Sequence, residues 1–341
     1  MPPRLKCKAC WRAKLLKRAF LWLVIFAIAG GAWTAHYLTT PIPLPTTPFE
    51  FNVKAGSSLR GVAQQLAQAG ALKQPFLFTW VGHLSGRGAT IKAGNYTLDA
   101  GITPWDLLQK LTKGQVTQTK VKFIEGWTFK QIRQVLNQTS GLRHDTQALS
   151  EEEIMAKLGA PNQHPEGRFF PDTYFFSHGM SDLTILSRAH KLMQTHLDAE
   201  WRAREPNLPY ATPEEALIMA SIVEKETGQA AERPMIAGVF VNRLRSGMLL
   251  QTDPTVIYGM GESFDGNLRR RDLLADTPYN TYTRAGLPPT PIAMPGLGSL
   301  QAALHPAKTR AIYFVARGNG LHQFSETLAQ HNQAVNRYQR Q

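Results

Sequence analysis

The stretch Thr212-Pro213-Glu214-Glu215-Ala216-Leu217-Ile218-Met219-Ala220-Ser221-Ile222-Val223-Glu224-Lys225-Glu226-Thr227 decides how the rest of this 341-residue chain is read. It opens with the signature of a helix start: Thr212 as cap, Pro213 as first helical residue, and Glu215 as the return half of a capping box. With 100° per residue counted from Glu215, Met219, Ile222, Val223 and Ile218 fall at roughly 40°, 340°, 80° and 300°, an apolar stripe centred near 10°. Glu226, at about 20°, sits inside that stripe, whereas Glu224, at about 180°, is predicted to be solvated on the opposite face. A carboxyl held against apolar neighbours resists ionising, so it can remain an acid near neutral pH. Glu226 is therefore the candidate general acid. The alternative on pattern alone is a structural carboxylate paired with Lys225 or Arg233, or a helix that ends before residue 226.

The surrounding motifs extend the reading. Ser221 to Thr227 is followed by Glu232-Arg233, Val239-Phe240-Val241-Asn242-Arg243-Leu244, Gly247-Met248 and Leu250-Gln251-Thr252-Asp253-Pro254-Thr255-Val256-Ile257-Tyr258-Gly259. Beyond these come Tyr279-Asn280-Thr281-Tyr282, Gly286-Leu287-Pro288-Pro289, Pro291-Ile292, Pro295-Gly296 and Tyr313-Phe314-Val315-Ala316, leading to His331-Asn332; Pro171-Asp172-Thr173-Tyr174 lies upstream. Together they resemble the YceG/MltG-like family of endolytic murein transglycosylases. That resemblance implies a catalytic Glu at the second glutamate of Glu224-Lys225-Glu226. It also implies a lytic transglycosylase that cleaves the β-1,4 bond between N-acetylmuramic acid and N-acetylglucosamine in nascent peptidoglycan. The products would carry 1,6-anhydromuramic ends, and such cuts would terminate glycan elongation.

Other segments place the chain in space. Arg4, Lys6, Lys8, Arg12, Lys14, Lys17 and Arg18 carry seven of the thirteen net positive charges, with no acidic residue among residues 1–18. This clustering beside an apolar run argues against nucleic acid as partner. Residues 19–38 contain no charged side chain and are long enough to span a bilayer. The basic flank predicts a single-pass inner-membrane protein with a cytoplasmic tail (1–18) and its remainder periplasmic or extracytoplasmic. A cleaved signal peptide is the competing reading. Residues 39–49, with four prolines, read as a semi-rigid spacer. Cys7 and Cys10 alone do not make a metal site, and no metal or other cofactor is expected.

Three near-repeats follow, each a strand, a glycine turn, a Ser or Thr cap and an amphipathic helix: Val53 to Leu66, Leu98 to Leu111, and Phe123 to Leu136. The first, with its continuation, is similar to a LysM-type βααβ module that binds N-acetylglucosamine-containing glycans. Tyr96 is expected either to stack on a sugar or to lie in the core. The predicted fold class is α+β: one transmembrane helix, a LysM-like module over 50–122 and a mixed α+β catalytic domain over 123–341. Gln251, Thr252 and Asp253 in one polar loop, and Tyr279, Asn280 and Tyr282 in another, are the candidate substrate-binding residues beside Glu226. Glycan strands are the expected partner, with peptidoglycan synthases as possible associates. No second carboxylate matches Glu226, although Asp253 could serve if the enzyme were a muramidase-type hydrolase. A non-catalytic glycan-binding scaffold is the alternative outside enzymes. The family's older association with a pyridoxal-phosphate lyase would need a Schiff-base lysine and a phosphate cradle, for which there is no convincing motif.

Overall fold

The computed structural model describes residues 8–339 apart from 55, 89 and 116–118, with the side chains of residue 18 and of 20 onward. Cys7 lies outside the described residues. The chain divides into two compact units, residues 1–118 and 119–341. Both mix helices and short two-stranded sheets, so the fold is α+β.

The first unit begins with α1 (Lys8–Thr39), one continuous helix in which the basic segment and the apolar segment are joined without a break. Its part Phe20–Thr39 is long and apolar enough to cross a membrane, and none of it is buried within the chain. Next come β1 (Phe49–Val53), α2 (Leu59–Gln68), α3 (Pro75–Leu84), β2 (Gly94–Leu98) and α4 (Pro104–Lys113), with β1 antiparallel to β2. Leu59, Val62, Leu66, Phe78, Leu107 and Leu108 share one core. Tyr96 belongs to that core: it is fully buried and donates its hydroxyl to the Lys92 carbonyl at 2.7 Å. The Pro-rich segment departs from the spacer predicted for it. Ile42 is buried in the same core, its amide donates to the Ile102 carbonyl at 2.8 Å, and Leu38 and Leu44 pack beside it. Apolar residues alternating with the prolines give this segment a face to bury, and burial outweighs the extended preference of proline.

The second unit comprises β3 (Thr119–Lys122), α5 (Phe129–Gln138), β4 (Leu142–Arg143), α6 (Glu151–Lys157), β5 (Thr173–Phe176), β6 (Met180–Ser181) and α7 (Asp182–Ala203). It continues with α8 (Pro213–Glu226), α9 (Arg233–Arg245), α10 (Asp253–Met260), α11 (Arg270–Leu274), α12 (Leu297–Leu304), β7 (Tyr313–Ala316), β8 (His322–Ser325) and α13 (Leu328–Tyr338). β3 pairs antiparallel with β5, which draws residues 119–122 into this unit although the sequence alone suggested a boundary after 122. The three repeats share one local geometry. Ser58, Thr103 and Thr128 each accept from the backbone N–H three residues on, at 3.2, 3.2 and 3.4 Å. Each cap follows a glycine with positive φ, Gly56, Gly101 or Gly126, where a side chain would be strained.

Helix α8 organises the second unit. Thr212 and Glu215 form the expected capping box. Its middle is not amphipathic, however: Ala216 through Val223 are all buried, packed by α7, α9, α10 and α12. Each large apolar side chain removed from water there contributes about 1.5–3 kcal/mol. The apolar stripe read from the wheel is thus one side of a helix buried on every side.

Candidate active site

Glu226 is the last residue of α8, half-buried where the central helix runs out of the core. The loop before α10 meets it there: the buried Thr252 donates its hydroxyl hydrogen to Glu226 Oε1. Thr252 is fixed from behind. Its N–H donates to Thr281 Oγ1 at 3.1 Å, Thr255 Oγ1 donates to the Thr252 carbonyl at 2.8 Å, and the Thr255 and Thr281 hydroxyls lie 2.9 Å apart. Gln251 makes the turn into this loop with a left-handed φ of 49°, its N–H donating to the Thr281 carbonyl at 3.0 Å and its side chain exposed.

Burial raises the pKa of Glu226, which the Thr252 hydrogen bond opposes; the nearby Asp253 carboxylate pushes it further up, while His322 and Arg243 pull it down. The net effect favours the acid form. Asp253 is exposed and accepts from the Tyr282 hydroxyl at 2.5 Å, so the two loops are tied together at the surface beside Glu226. Burial and that contact hold the Tyr282 phenol well above its ordinary range.

Several expectations differ from the structure. Glu224 is not solvated: its side chain is only 6% exposed. It accepts from the Gly296 N–H at 2.9 Å and the Ser299 hydroxyl at 2.7 Å, and pairs with Arg233 at 3.4 Å, so it caps the N-terminus of α12. Arg233, considered above as a partner for Glu226, serves Glu224 and Glu125 instead. Asn280 is fully buried, with its amide donating to the carbonyls of Asp272, Leu273 and Ala275 and its oxygen accepting from the Tyr282 N–H at 2.9 Å. It braces the loop from within and presents nothing to a groove. Tyr279 does not join the Glu226 cluster in any described contact; it hydrogen-bonds Thr290 at 2.8 Å and meets the Tyr258 ring edge-on at 5.0 Å.

The match to known proteins decides the family: the chain fits the YceG-like family over residues 51–337. It belongs to that family. Among its relatives, the endolytic murein transglycosylase of Bacillus subtilis (strain 168) is 34% identical over 338 residues, covering 91% of this chain and 91% of the relative. The endolytic murein transglycosylase of Streptococcus pneumoniae serotype 2 is 27% identical and covers 87% of this chain, which spans 60% of that longer protein. A crystal structure of a yceG-like protein from Listeria monocytogenes superposes with a TM-score of 0.54 at 29% identity, covering 84% of this chain and 98% of that one.

Around Glu226 this YceG-like chain also sets groups that were not among the candidate site residues. Arg243 is buried under Tyr313 at 5.6 Å, its guanidinium donating to the carbonyls of Ile312 and Leu250 at 2.7 Å each. His322 holds Glu232 at 2.8 Å through its ring and 2.9 Å through its backbone. Farther along α10, Glu166 is buried, accepts from the Phe129 N–H at 3.0 Å and the Tyr258 hydroxyl at 3.1 Å, and is pushed up to about 7 by burial. Its signal in the sequence was a lone carboxylate just ahead of Phe169-Phe170, the same misplacement that singled out Glu226.

Proposed function

We propose that the chain is an endolytic murein transglycosylase, with Glu226 as its single acid and base. The observation that carries this is the half-buried Glu226 carboxyl held by Thr252 at the end of α8, whose middle is wholly buried. A carboxyl so placed can stay protonated until it gives its proton to the glycosidic oxygen. As that proton moves, the bond from muramic C1 to the leaving N-acetylglucosamine oxygen breaks and positive charge grows at C1. The muramic C6 hydroxyl then closes on C1, and its proton returns to Glu226. Water is neither consumed nor activated, so one carboxyl suffices. Gln251, Asp253 and Tyr282 are assigned to substrate contact, Asp253 also facing the developing positive charge; Thr252 positions the acid.

The first unit's β1-α2-α3-β2 order supports its reading as a LysM-like glycan-binding module. The apolar Phe20–Thr39 segment with basic residues before it supports a single-pass inner-membrane anchor, with the rest of the chain outside the cytoplasm and near peptidoglycan synthases. A second reading, a two-carboxylate muramidase, draws on Asp253, which is close enough to raise the pKa of Glu226.

Product analysis separates the readings. Mass spectrometry of purified glycan strands treated with the protein should find 1,6-anhydromuramic ends, one water lighter than hydrolytic ends. Glu226→Gln should reduce cleavage by about 10²- to 10⁴-fold while leaving the thermal transition in place. Reducing muramic ends would sink the transglycosylase reading and turn attention to Asp253.

A further inference from the structure

A cleft whose lining includes Lys225, the chain neighbour of Glu226, is not used by the cleavage mechanism. Its volume is about 810 Å³, within the range of small-ligand sites. Pro254, Ile257 and Tyr258 of α10 form one wall, and Tyr279 and Ile292 add apolar surface. The buried carboxyl of Glu166 stands within the lining, bridging the start of α5 to Tyr258. The charged groups are of both signs: Lys130 and Lys225 on one hand, Glu151 and Glu262 on the other, with Lys130 paired to Glu262.

Two features connect this cleft to the acid. Lys225 in its lining is the chain neighbour of Glu226, and α10, whose cap Thr252 touches Glu226, supplies the wall. Ile257 lies four residues beyond Asp253, about 6 Å along the helix axis. A substituent leaving the muramic ring at C3, two atoms from the reacting C1, covers that distance with about two extended residues. A bare glycan offers hydroxyls and acetamides and has no use for side chains of both charges. A short peptide bearing carboxylates and an amino group does, and its apolar side chains suit Ile257 and Tyr258.

We propose that this cleft is the subsite for the stem peptide on the muramic residue at the cut, making the enzyme selective for strands that still carry stems. The inference rests on the transglycosylase reading above. Its test compares kcat/KM on two strand preparations, one with stems and one stripped by an amidase, with wild type, Ile257→Trp, which fills the cleft, and Lys130→Glu, which alters its rim charge. Wild type should favour stemmed strands by about tenfold, the low end of what one pocket contact provides. Ile257→Trp should erase that ratio and cleave stripped strands at the wild-type rate; Lys130→Glu should reduce the ratio with the same control unchanged. A wild type indifferent to stems, or a ratio kept by both variants, overturns the subsite. Should Ile257→Trp lose both substrates, its fold has failed, and Lys130→Glu decides by lowering the ratio or leaving it. Absence of anhydro ends from either preparation with wild type would instead overturn the transglycosylase reading itself.

Discussion

Thr252 determines which oxygen of Glu226 can carry a proton. Because its hydroxyl donates to Oε1, the acidic hydrogen belongs on Oε2. The hydrogen bond also favours the ionised carboxylate, so removing it raises the pKa further. Thr252→Val should therefore lower kcat by about tenfold through lost orientation, yet move the alkaline limb of the kcat profile to higher pH. Thr252→Ser should restore both. The sign follows from the role: an acid is active while protonated, and a higher pKa keeps it so over a wider range. A pH-rate series that falls in height without moving would show that the threonine only packs. At this scale the sequence was partly legible. Glu226 stood out because an acid among apolar residues is visible locally, and Tyr282 and Asp253 because polar loops are. Asn280 lies buried because the carbonyls that consume its amide belong to the preceding loop, whose path no short motif reveals.

At the scale of elements, Glu224 is a buried cap and not the solvated carboxylate expected of it. Glu224 satisfies backbone and hydroxyl donors at the start of α12 and is buried with Arg233, so its loss leaves donors and a cation unmatched. Glu224→Ala should cost about 1–3 kcal/mol in stability, read as a lower urea midpoint, with activity at low denaturant falling only as the folded fraction falls. Glu226→Gln should show the reverse pattern, stable and inactive. The helix wheel could not have foreseen the burial of Glu224. It assumes one wet face, and α8 has none between Ala216 and Val223. Glu224's partners at the start of α12 lie more than seventy positions along the chain, whereas the capping boxes at Thr103, Thr128 and Thr212 close within three residues. Local devices were therefore readable and distant ones were not.

For the whole molecule, the orientation of α1 governs everything else. The proposed topology, with seven basic residues ahead of Phe20, puts the N-terminus in the cytoplasm. An alkaline phosphatase fused after Gln341 should then be active, and a fluorescent protein that matures only in the cytoplasm should stay dark there; the opposite pair of results would invert the topology. The mixture of helices and strands was legible from periodicity, since each repeat announces its strand, turn and cap within about fifteen residues. The behaviour of residues 39–49 was not, because proline spacing describes a chain in water and is silent about a nearby apolar surface. Ile42, buried beneath the first unit's helices and fastened to Ile102, leaves almost no slack after Thr39. With α1 in a bilayer, the first unit is bolted to its post and not moored on a line. In the proposed topology it would stay at the membrane's outer face and meet only the strands within its reach there.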